Sequence, residues 1–429
     1  MKHEVGSNLN TAEVRLEVIA GPACGLSNVF QSHQTWIVGR SPHAQWSLSD
    51  DQECSRFHSR FEINPPHCVV ADLRSRNGTK VNGLRISDVT SLRDGDKVQI
   101  GRSVIQVTSL HRSVDSTDPK SAPPEPARFD STIIISRKPA IPGYDITHIV
   151  GEGGMGCVFH GLRQTDGHPV AVKLVRPASA EAERLRQFIR EAAVLAKLQH
   201  PQIVRLLEFG VVDRVPFLVM EFVGTADLKE ILRSSSFITR MKIASGLTCR
   251  VLDALQFAHS NGIVHRDIKP SNMLVYRSGR RLRVKLADFG LAKNFMNAGL
   301  SAMSTSNEIK GTIAFMPPEQ ILDCRRATPA CDIYAAGATL YQLVTGHQPY
   351  DFVETSEAIA KILNEPPVPP TERCPAVDPG LANVIERAMA RRTEDRYQSA
   401  EEMRAELLPY TDRRTYESNR SDAHSGSAE

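Results

Sequence analysis

At 429 residues the chain is longer than one ordinary core organises, and about one domain per 100 to 200 residues leads to two or three units. Lys and Arg number 52 against 49 Asp and Glu, and a formal charge of +3 argues against a nucleic-acid surface or a polyacidic partner. The eight cysteines form no CxxC pair and no Cys/His cluster at metal-ligand spacing, there is no signal-peptide-like start, and no window reaches the about 18 unbroken apolar residues of a membrane span, so a reducing cytoplasm is expected.

Residues 12–109 read as all-β. Short apolar stretches such as Val14-Arg15-Leu16-Glu17-Val18-Ile19, Thr35-Trp36-Ile37-Val38 and Val104-Ile105-Gln106-Val107 alternate with Gly, Asn, Asp and Ser clusters, which suits a β-sandwich of about 100 residues. Three polar groups fall at strand ends: Gly39-Arg40-Ser41, Ser55-Arg56-Phe57-His58, and Ser75-Arg76-Asn77-Gly78-Thr79 with Asn82-Gly83. The two Asn-Gly pairs also fit plain hairpin turns. In order and spacing these groups resemble a forkhead-associated (FHA) domain, a family that binds phosphothreonine peptides through loops at one end of a sandwich. The resemblance implies that Arg40 and Ser55 contact the phosphate, Arg56 assists, Asn77 fixes the peptide backbone, and His58 is structural. An arginine fork with hydroxyl and backbone donors is suited to a dianionic phosphate.

Residues 110–142 are rich in Ser, Asp, Lys and Pro, with Pro119, Pro123, Pro124 and Pro126, and read as a flexible linker. Within it Asp130-Ser131-Thr132-Ile133-Ile134-Ile135 is β-prone. It reads either as a short strand on the following domain or as a ligand, Thr132 once phosphorylated presenting Ile135 to the phosphopeptide-binding loops of this chain or a neighbour's.

From residue 143 to about 410 the chain changes again. Gly151-Glu152-Gly153-Gly154-Met155-Gly156-Cys157-Val158 is a GxGxxGxV loop whose glycines let backbone N–H groups approach phosphates, and the strand-like Val158-Phe159-His160-Gly161-Leu162 after it differs from the helix a Rossmann turn requires. Val170-Ala171-Val172-Lys173 follows, then a helical pattern over 182–198 that carries Glu191. The apolar Pro216-Phe217-Leu218-Val219-Met220 leads into Glu221-Phe222-Val223-Gly224. His265-Arg266-Asp267-Ile268-Lys269-Pro270-Ser271-Asn272 places a base, a cation and a metal ligand within eight residues, and Asp288-Phe289-Gly290 follows a further strand.

These elements, in this order, resemble a eukaryotic-like serine/threonine protein kinase of bacterial type. The expected fold is therefore multidomain, an all-β FHA-like sandwich (12–109) and linker (110–142) followed by an α+β two-lobed kinase (143–410) and a disordered tail (411–429). The resemblance implies ATP and Mg²⁺ as cofactors, with Gly151, Gly153 and Gly156 over the phosphates, Lys173 on the α- and β-phosphates and paired with Glu191, and Asn272 and Asp288 holding the metal. Asp267 is the implied base and Lys269 the cation at the transferred phosphoryl. Met220 is the implied gatekeeper, the Glu221 carbonyl and Val223 N–H bond adenine, Asp227 holds the ribose, and Val158, Ala171 and Leu274 sandwich the purine. The segment 288–319 carries Ser301, Ser304, Thr305 and Ser306, where phosphorylation would give Arg266 an anionic partner. Glu319 is expected to pair with Arg396, and Asp332 to brace the catalytic loop. Pro317 stands where the family commonly shows alanine and Ile313 where proline is common, which bears on the substrate-facing loop. Cys157 reads as a small buried residue.

The expected activity is transfer of the ATP γ-phosphoryl to protein Ser/Thr hydroxyls. Partners are protein substrates and phosphothreonine peptides, with homodimerisation open and no nucleic acid or membrane span. The rival from another class is a pseudokinase adaptor acting through phosphopeptide binding, which predicts loss of at least one of Lys173, Glu191, Asp267, Asn272 or Asp288; all are present. A small-molecule kinase would lack Gly311-Thr312 and Pro318-Glu319.

Overall fold

In the computed structural model the described residues are 13–32, 34–110, 139–153, 156–175, 182–213, 215–279, 281–289, 311–323 and 327–412. Most of the linker with Thr132, the serine/threonine cluster at 301–306, Gly290 and residues 413–429 lie outside them. The chain divides into two compact units.

The first unit begins with β1 (Glu13–Ala20), β2 (Ser27–Phe30), β3 (Gln34–Gly39), β4 (Trp46–Ser47), β5 (Ser59–Asn64) and β6 (His67–Asp72). It continues with β7 (Thr79–Val81), β8 (Leu84–Arg85), β9 (Thr90–Leu92), β10 (Lys97–Ile100) and β11 (Ser103–Leu110). The strands form two sheets, ordered β2-β1-β11-β10-β7-β8 and β4-β3-β5-β6-β9. Alternation decides which face packs: Val14, Leu16 and Val18 of β1 are buried while Arg15 is exposed and Glu17 half-buried, and Phe61, Ile63 and Val70 come from the other sheet. Phe30, Trp36 and Trp46 meet edge to face, with centroids 4.8 and 6.1 Å apart. Each fully buried Val, Leu, Ile or Phe in such a core contributes roughly 1.5–3 kcal/mol. Register then positions the loops. Val38 pairs with Ser59 and Ser59 with Asp72, so the loops carrying Arg40, Ser55 and Asn77 leave the same end of one sheet.

The second unit opens with β12 (Tyr144–Gly153), β13 (Gly156–Arg163), β14 (Pro169–Val175), β15 (Leu206–Val212) and β16 (Val215–Glu221), in the antiparallel order β12-β13-β14-β16-β15. Val170, Val172 and Leu174 form its core with Phe159 and Phe217, and Ile141, 3% exposed, belongs to the same core, so packed chain starts ahead of residue 143. Helix α1 (Ala182–Leu195) packs Phe188 and Ala192 against Val175 and Leu218.

Beyond β16 the chain is mainly helical: α2 (Leu228–Ser234), α3 (Phe237–Ser260), α4 (Pro318–Leu322), α5 (Pro329–Thr345), α6 (Thr355–Asn364), α7 (Pro370–Arg373), α8 (Pro379–Ala388) and α9 (Ala400–Leu407). The hairpin of β17 (Met273–Ser278) and β18 (Arg281–Leu286) interrupts the series after α3. Ser236 caps α3 by accepting from Thr239 N, and α5 starts with proline at its first turn and stops at Gly346, whose φ of 78° requires glycine. Helices α3 and α5 pack together, and both bury small side chains, Ala244 and Ala254 in α3 and Ala336 and Ala338 in α5. Thr411 remains buried and bonds Leu408 O through its N–H and hydroxyl, so packed chain continues past residue 410.

Candidate functional site

The hairpin of β12 and β13 closes at the pair Gly153 and Gly156. Gly156 has a φ of 140°, and a Cβ there would lie 1.8 Å from Leu174 O, so no other residue fits against β14. Antiparallel pairing sets Val158 opposite Lys173 and Ala171 opposite Met220. Val158, Ala171 and Leu274 are half-buried on β13, β14 and β17, whereas Lys173 is 6% exposed and pairs with Asp288, Nζ to Oδ1 2.7 Å. Lys173, Met220, Asp288 and Phe289 line a cavity of about 40 Å³ with Leu195 and Leu218. Glu191 lies half-buried on α1. Asp227 is exposed and caps α2, its Oδ1 accepting from Glu230 N at 3.0 Å.

The loop from His265 to Asn272 is held from both sides. Asp332 on α5 is fully buried, and its carboxylate accepts from His265 N and Arg266 N, both at 2.8 Å, and bonds His259 Nε2 at 2.8 Å. A buried carboxylate with such donors is satisfied, and it fixes two consecutive amides of the loop. Arg266 consequently adopts a φ of 68°, a left-handed conformation that a long side chain disfavours and that the two bonds offset. His265 is buried, which pushes its pKa below the usual 6.5, so the ring is neutral. Its Nδ1 accepts from Asp267 N at 3.2 Å, leaving Nε2–H to donate to Ala287 O at 2.9 Å, next to Asp288.

Four polar side chains converge beyond this frame. Asn272 donates Nδ2 to Asp267 O at 2.7 Å and to Asp267 Oδ2 at 3.1 Å. Lys269 Nζ lies 3.1 Å from Asp267 Oδ2 and donates to Thr312 Oγ1 at 2.9 Å. Asn272 thus commits its amide nitrogen, which leaves the amide oxygen for a cation, and Ala287 N donates to Asn272 O, bringing Asp288 to the same end of the β17–β18 hairpin. One amide oxygen and one carboxylate, with phosphate oxygens, are a donor set suited to magnesium.

In the first unit, Gly39 lies where a Cβ would meet Arg56 O at 2.1 Å, and this close approach lets Arg40 N and Ser41 N bond Ser55 O and Arg56 O at 2.9 and 3.0 Å. Ser55 Oγ accepts from Arg76 N at 3.0 Å, and Asn77 Nδ2 donates to Glu53 O at 2.8 Å. The loops bearing Ser55, Arg56 and Asn77 are thereby tied into one surface beside Arg40. His58 underlies them: Nδ1 accepts from Ser55 N at 3.1 Å and Nε2 bonds Gly78 O at 3.3 Å.

The protein kinase domain family matches residues 144–408, more than half of the chain, and the FHA domain family matches residues 36–101. The chain belongs to the protein kinase family. A probable serine/threonine-protein kinase of Corynebacterium efficiens is 37% identical over 276 residues, covering 62% of this chain and 40% of that protein. A serine/threonine-protein kinase of Myxococcus xanthus is 36% identical over 275 residues, covering 62% of this chain and 49% of its own. The kinase domain of PknI from M. tuberculosis aligns with 63% of this chain and 96% of its own, at 25% identity and a TM-score of 0.48. The chain therefore spans less than half the length of these curated relatives.

Several contacts in the kinase domain had no signal in the sequence. Gln320 Nε2 donates to Arg266 O at 2.9 Å, a second clasp on the catalytic loop. Lys285 on β18 pairs with Glu221 at 2.5 Å, and the same carboxylate oxygen accepts from Arg205 N at 2.8 Å, tying the segment after β16 to the strand that leads to Asp288. Glu319 and Arg396 meet as expected, in a bidentate pair of 2.6 and 3.0 Å. The unusual Pro317 has φ −72° and ψ 157°, the extended backbone that any residue before a proline favours, and Pro318 takes the first helical position of α4, where its missing N–H costs nothing. Ile313, with Ala314 beside it, is fully buried.

His58 makes the FHA domain sensitive to acid. Burial is the main cause that lowers its pKa from 6.5, so the folded domain holds it neutral, while the unfolded chain protonates near pH 6.5. The unfolded state then binds more protons below pH 6.5, and stability falls as pH drops from there toward the folded pKa. Both tryptophans of the chain, Trp36 and Trp46, lie in this domain, so tryptophan fluorescence reads its unfolding alone. The urea midpoint is expected to drop between pH 7.5 and 5.5, and His58→Asn to flatten that slope.

Proposed function

We propose that the chain is an ATP-dependent serine/threonine protein kinase whose FHA domain binds phosphothreonine peptides, for regulation or substrate recruitment. The observation that carries this reading is the convergence of Asp267, Lys269, Asn272 and Thr312. Asp267 is positioned to accept a hydrogen bond from a substrate serine or threonine hydroxyl and to take its proton as the oxygen bonds to phosphorus. Lys269 offsets charge on the transferred phosphoryl. Thr312, bonded to Lys269, would flank the acceptor hydroxyl, which supports serine and threonine as substrates. Lys173 and Asp288 satisfy one another in the structure; with nucleotide bound, Lys173 would serve the α- and β-phosphates, and Asp288 with Asn272 would hold magnesium. The metal, when bound, neutralises phosphate charge and orients the chain of phosphates. Gly151, Gly153 and Gly156 would cover those phosphates, Glu191 would take over Lys173 from Asp288, the Glu221 carbonyl and Val223 N–H would hold adenine between Val158, Ala171 and Leu274, and Asp227 would reach the ribose by exchanging its capping bond. ATP and free thiols at every described cysteine are consistent with a cytoplasmic setting.

Intact mass and peptide mapping after incubation with Mg²⁺ and ATP, beside Asp267→Asn, test the activity. Phosphates on the wild type alone are expected; no mass gain in either would favour the pseudokinase adaptor. For the FHA domain, Arg40, Ser55, Arg56 and Asn77 form the phosphopeptide surface, and Arg40→Ala is expected to weaken a phosphothreonine peptide at least about tenfold, as loss of a charge-assisted contact does. Titration calorimetry checks it, and an unchanged affinity would reject the assignment. Thr132, with Ile135 three residues on, is the proposed internal ligand, in cis or across a homodimer, and a Thr132→Ala chain that oligomerises and exposes its FHA surface like the wild type after ATP treatment would refute it.

A further inference from the structure

Away from the nucleotide cleft, a cavity of about 530 Å³ lies between α2, α3 and the β17–β18 hairpin. Four cations line it, Lys242 and Arg250 from α3, Arg277 from β17 and Arg281 from β18, against one carboxylate, Asp412. Helical spacing explains the shape: Thr239, Lys242, Ile243, Gly246, Leu247 and Arg250 fall at i, i+3, i+4, i+7, i+8 and i+11, one stripe of α3. Gly246 sits mid-stripe, where glycine costs a helix up to about 1 kcal/mol relative to alanine, and a Cβ built on it meets nothing within 4 Å. The helix therefore leaves open floor at its centre. Lys242 and Arg277 are exposed and make no ion pair among the described residues, while Ile231, Ile243 and Leu282 add an apolar wall.

We infer that this cavity is a second anion site of the kinase domain, one that takes a phosphoserine-bearing protein segment. Lys242 and Arg277, exposed and without an ion pair among the described residues, suit a dianionic phosphate, and Arg250 and Arg281 keep the lining net positive beside the one carboxylate. The apolar wall beside them suits a hydrophobic side chain next to the phosphorylated residue, a combination that a protein segment supplies and free phosphate does not. Occupancy would hold a phosphorylated protein on the helical lobe independently of the FHA domain.

The test uses the full chain carrying Arg40→Ala, so that FHA binding does not contribute. A fluorescein-labelled nine-residue peptide with phosphoserine followed by leucine, flanked by glutamates, is titrated by anisotropy at about 0.15 M salt, where exposed charges act over about 8 Å. Binding is expected for this peptide and not for its unphosphorylated form, with at least about tenfold loss in Lys242→Glu/Arg277→Glu and in Gly246→Leu, which fills the open floor. Autophosphorylation retained in both variants establishes that they fold. Inorganic phosphate should compete only far above the peptide's concentration range. Failure of the peptide to bind, equal affinity in both variants, equally effective competition by inorganic phosphate, or capture of phosphatidylserine vesicles in place of the peptide would each overturn the assignment.

Discussion

Asp267→Asn is expected to reduce the initial rate of phosphate incorporation by about 10²–10⁴-fold, the range associated with a positioned general base. Asparagine keeps the side chain's size and an oxygen that can face Asn272 Nδ2 and Lys269 Nζ, at 3.1 Å each in the structure, so the loop should retain its shape. What is lost is the charge proposed to receive the hydroxyl proton. Lys269 stays anchored through Thr312, and Asp332 holds the amides of His265 and Arg266 without a bond to the replaced carboxylate. A rate within threefold of wild type would remove Asp267 from the mechanism; equal thermal midpoints for the two proteins would show that the loss is chemical.

The largest stability effect is expected at Glu319. Arg396 is 1% exposed and its guanidinium also bonds Ala390 O, Ala330 O and Arg391 O and stacks 4.9 Å over Tyr334, so the charge is locked in place. Glu319→Ala leaves that cation uncompensated and should cost about 3–5 kcal/mol, read as a lower urea midpoint by circular dichroism. Replacing both partners, Glu319→Leu with Arg396→Met, should recover much of the loss, because the cost lies in stranding one charge rather than in losing the pair. A loss under 1 kcal/mol in the single variant would mean that solvent reaches the arginine.

Much of this arrangement was legible in the chain, and the boundary of legibility follows sequence separation. Motifs that work through their own backbone, such as Gly156 against β14 or His265-Arg266-Asp267, carry their spacing with them. The two Asn-Gly pairs divide the same way: Asn82 and Gly83, with φ of 50° and 82°, form the two-residue turn between β7 and β8, and Asn82 bonds Lys97 N and Asp96. Asn77 instead bridges to Glu53 O in a neighbouring loop. Contacts such as Lys285 with Glu221 or Gln320 with Arg266 join residues on different elements, 64 and 54 positions apart. Nothing in local propensity distinguishes those side chains from ordinary solvated ones. Pro317 and Ile313 stand where the family commonly shows alanine and proline, and pre-proline geometry and burial accommodate both.

The hold of Asp332 on His265 and Arg266 also sets an order of events during synthesis. The buried FHA core draws on residues 14–107, so it can close before the kinase domain is made. The loop that carries Asp267 has no such independence, since the amides of His265 and Arg266 wait for a carboxylate 67 and 66 positions downstream and Glu319 for Arg396 later still. A growing chain therefore completes the core of its first unit well before the loop that carries Asp267 is fixed, and on the proposed function a nascent polypeptide stalled between the two would bind phosphorylated proteins without being able to phosphorylate any.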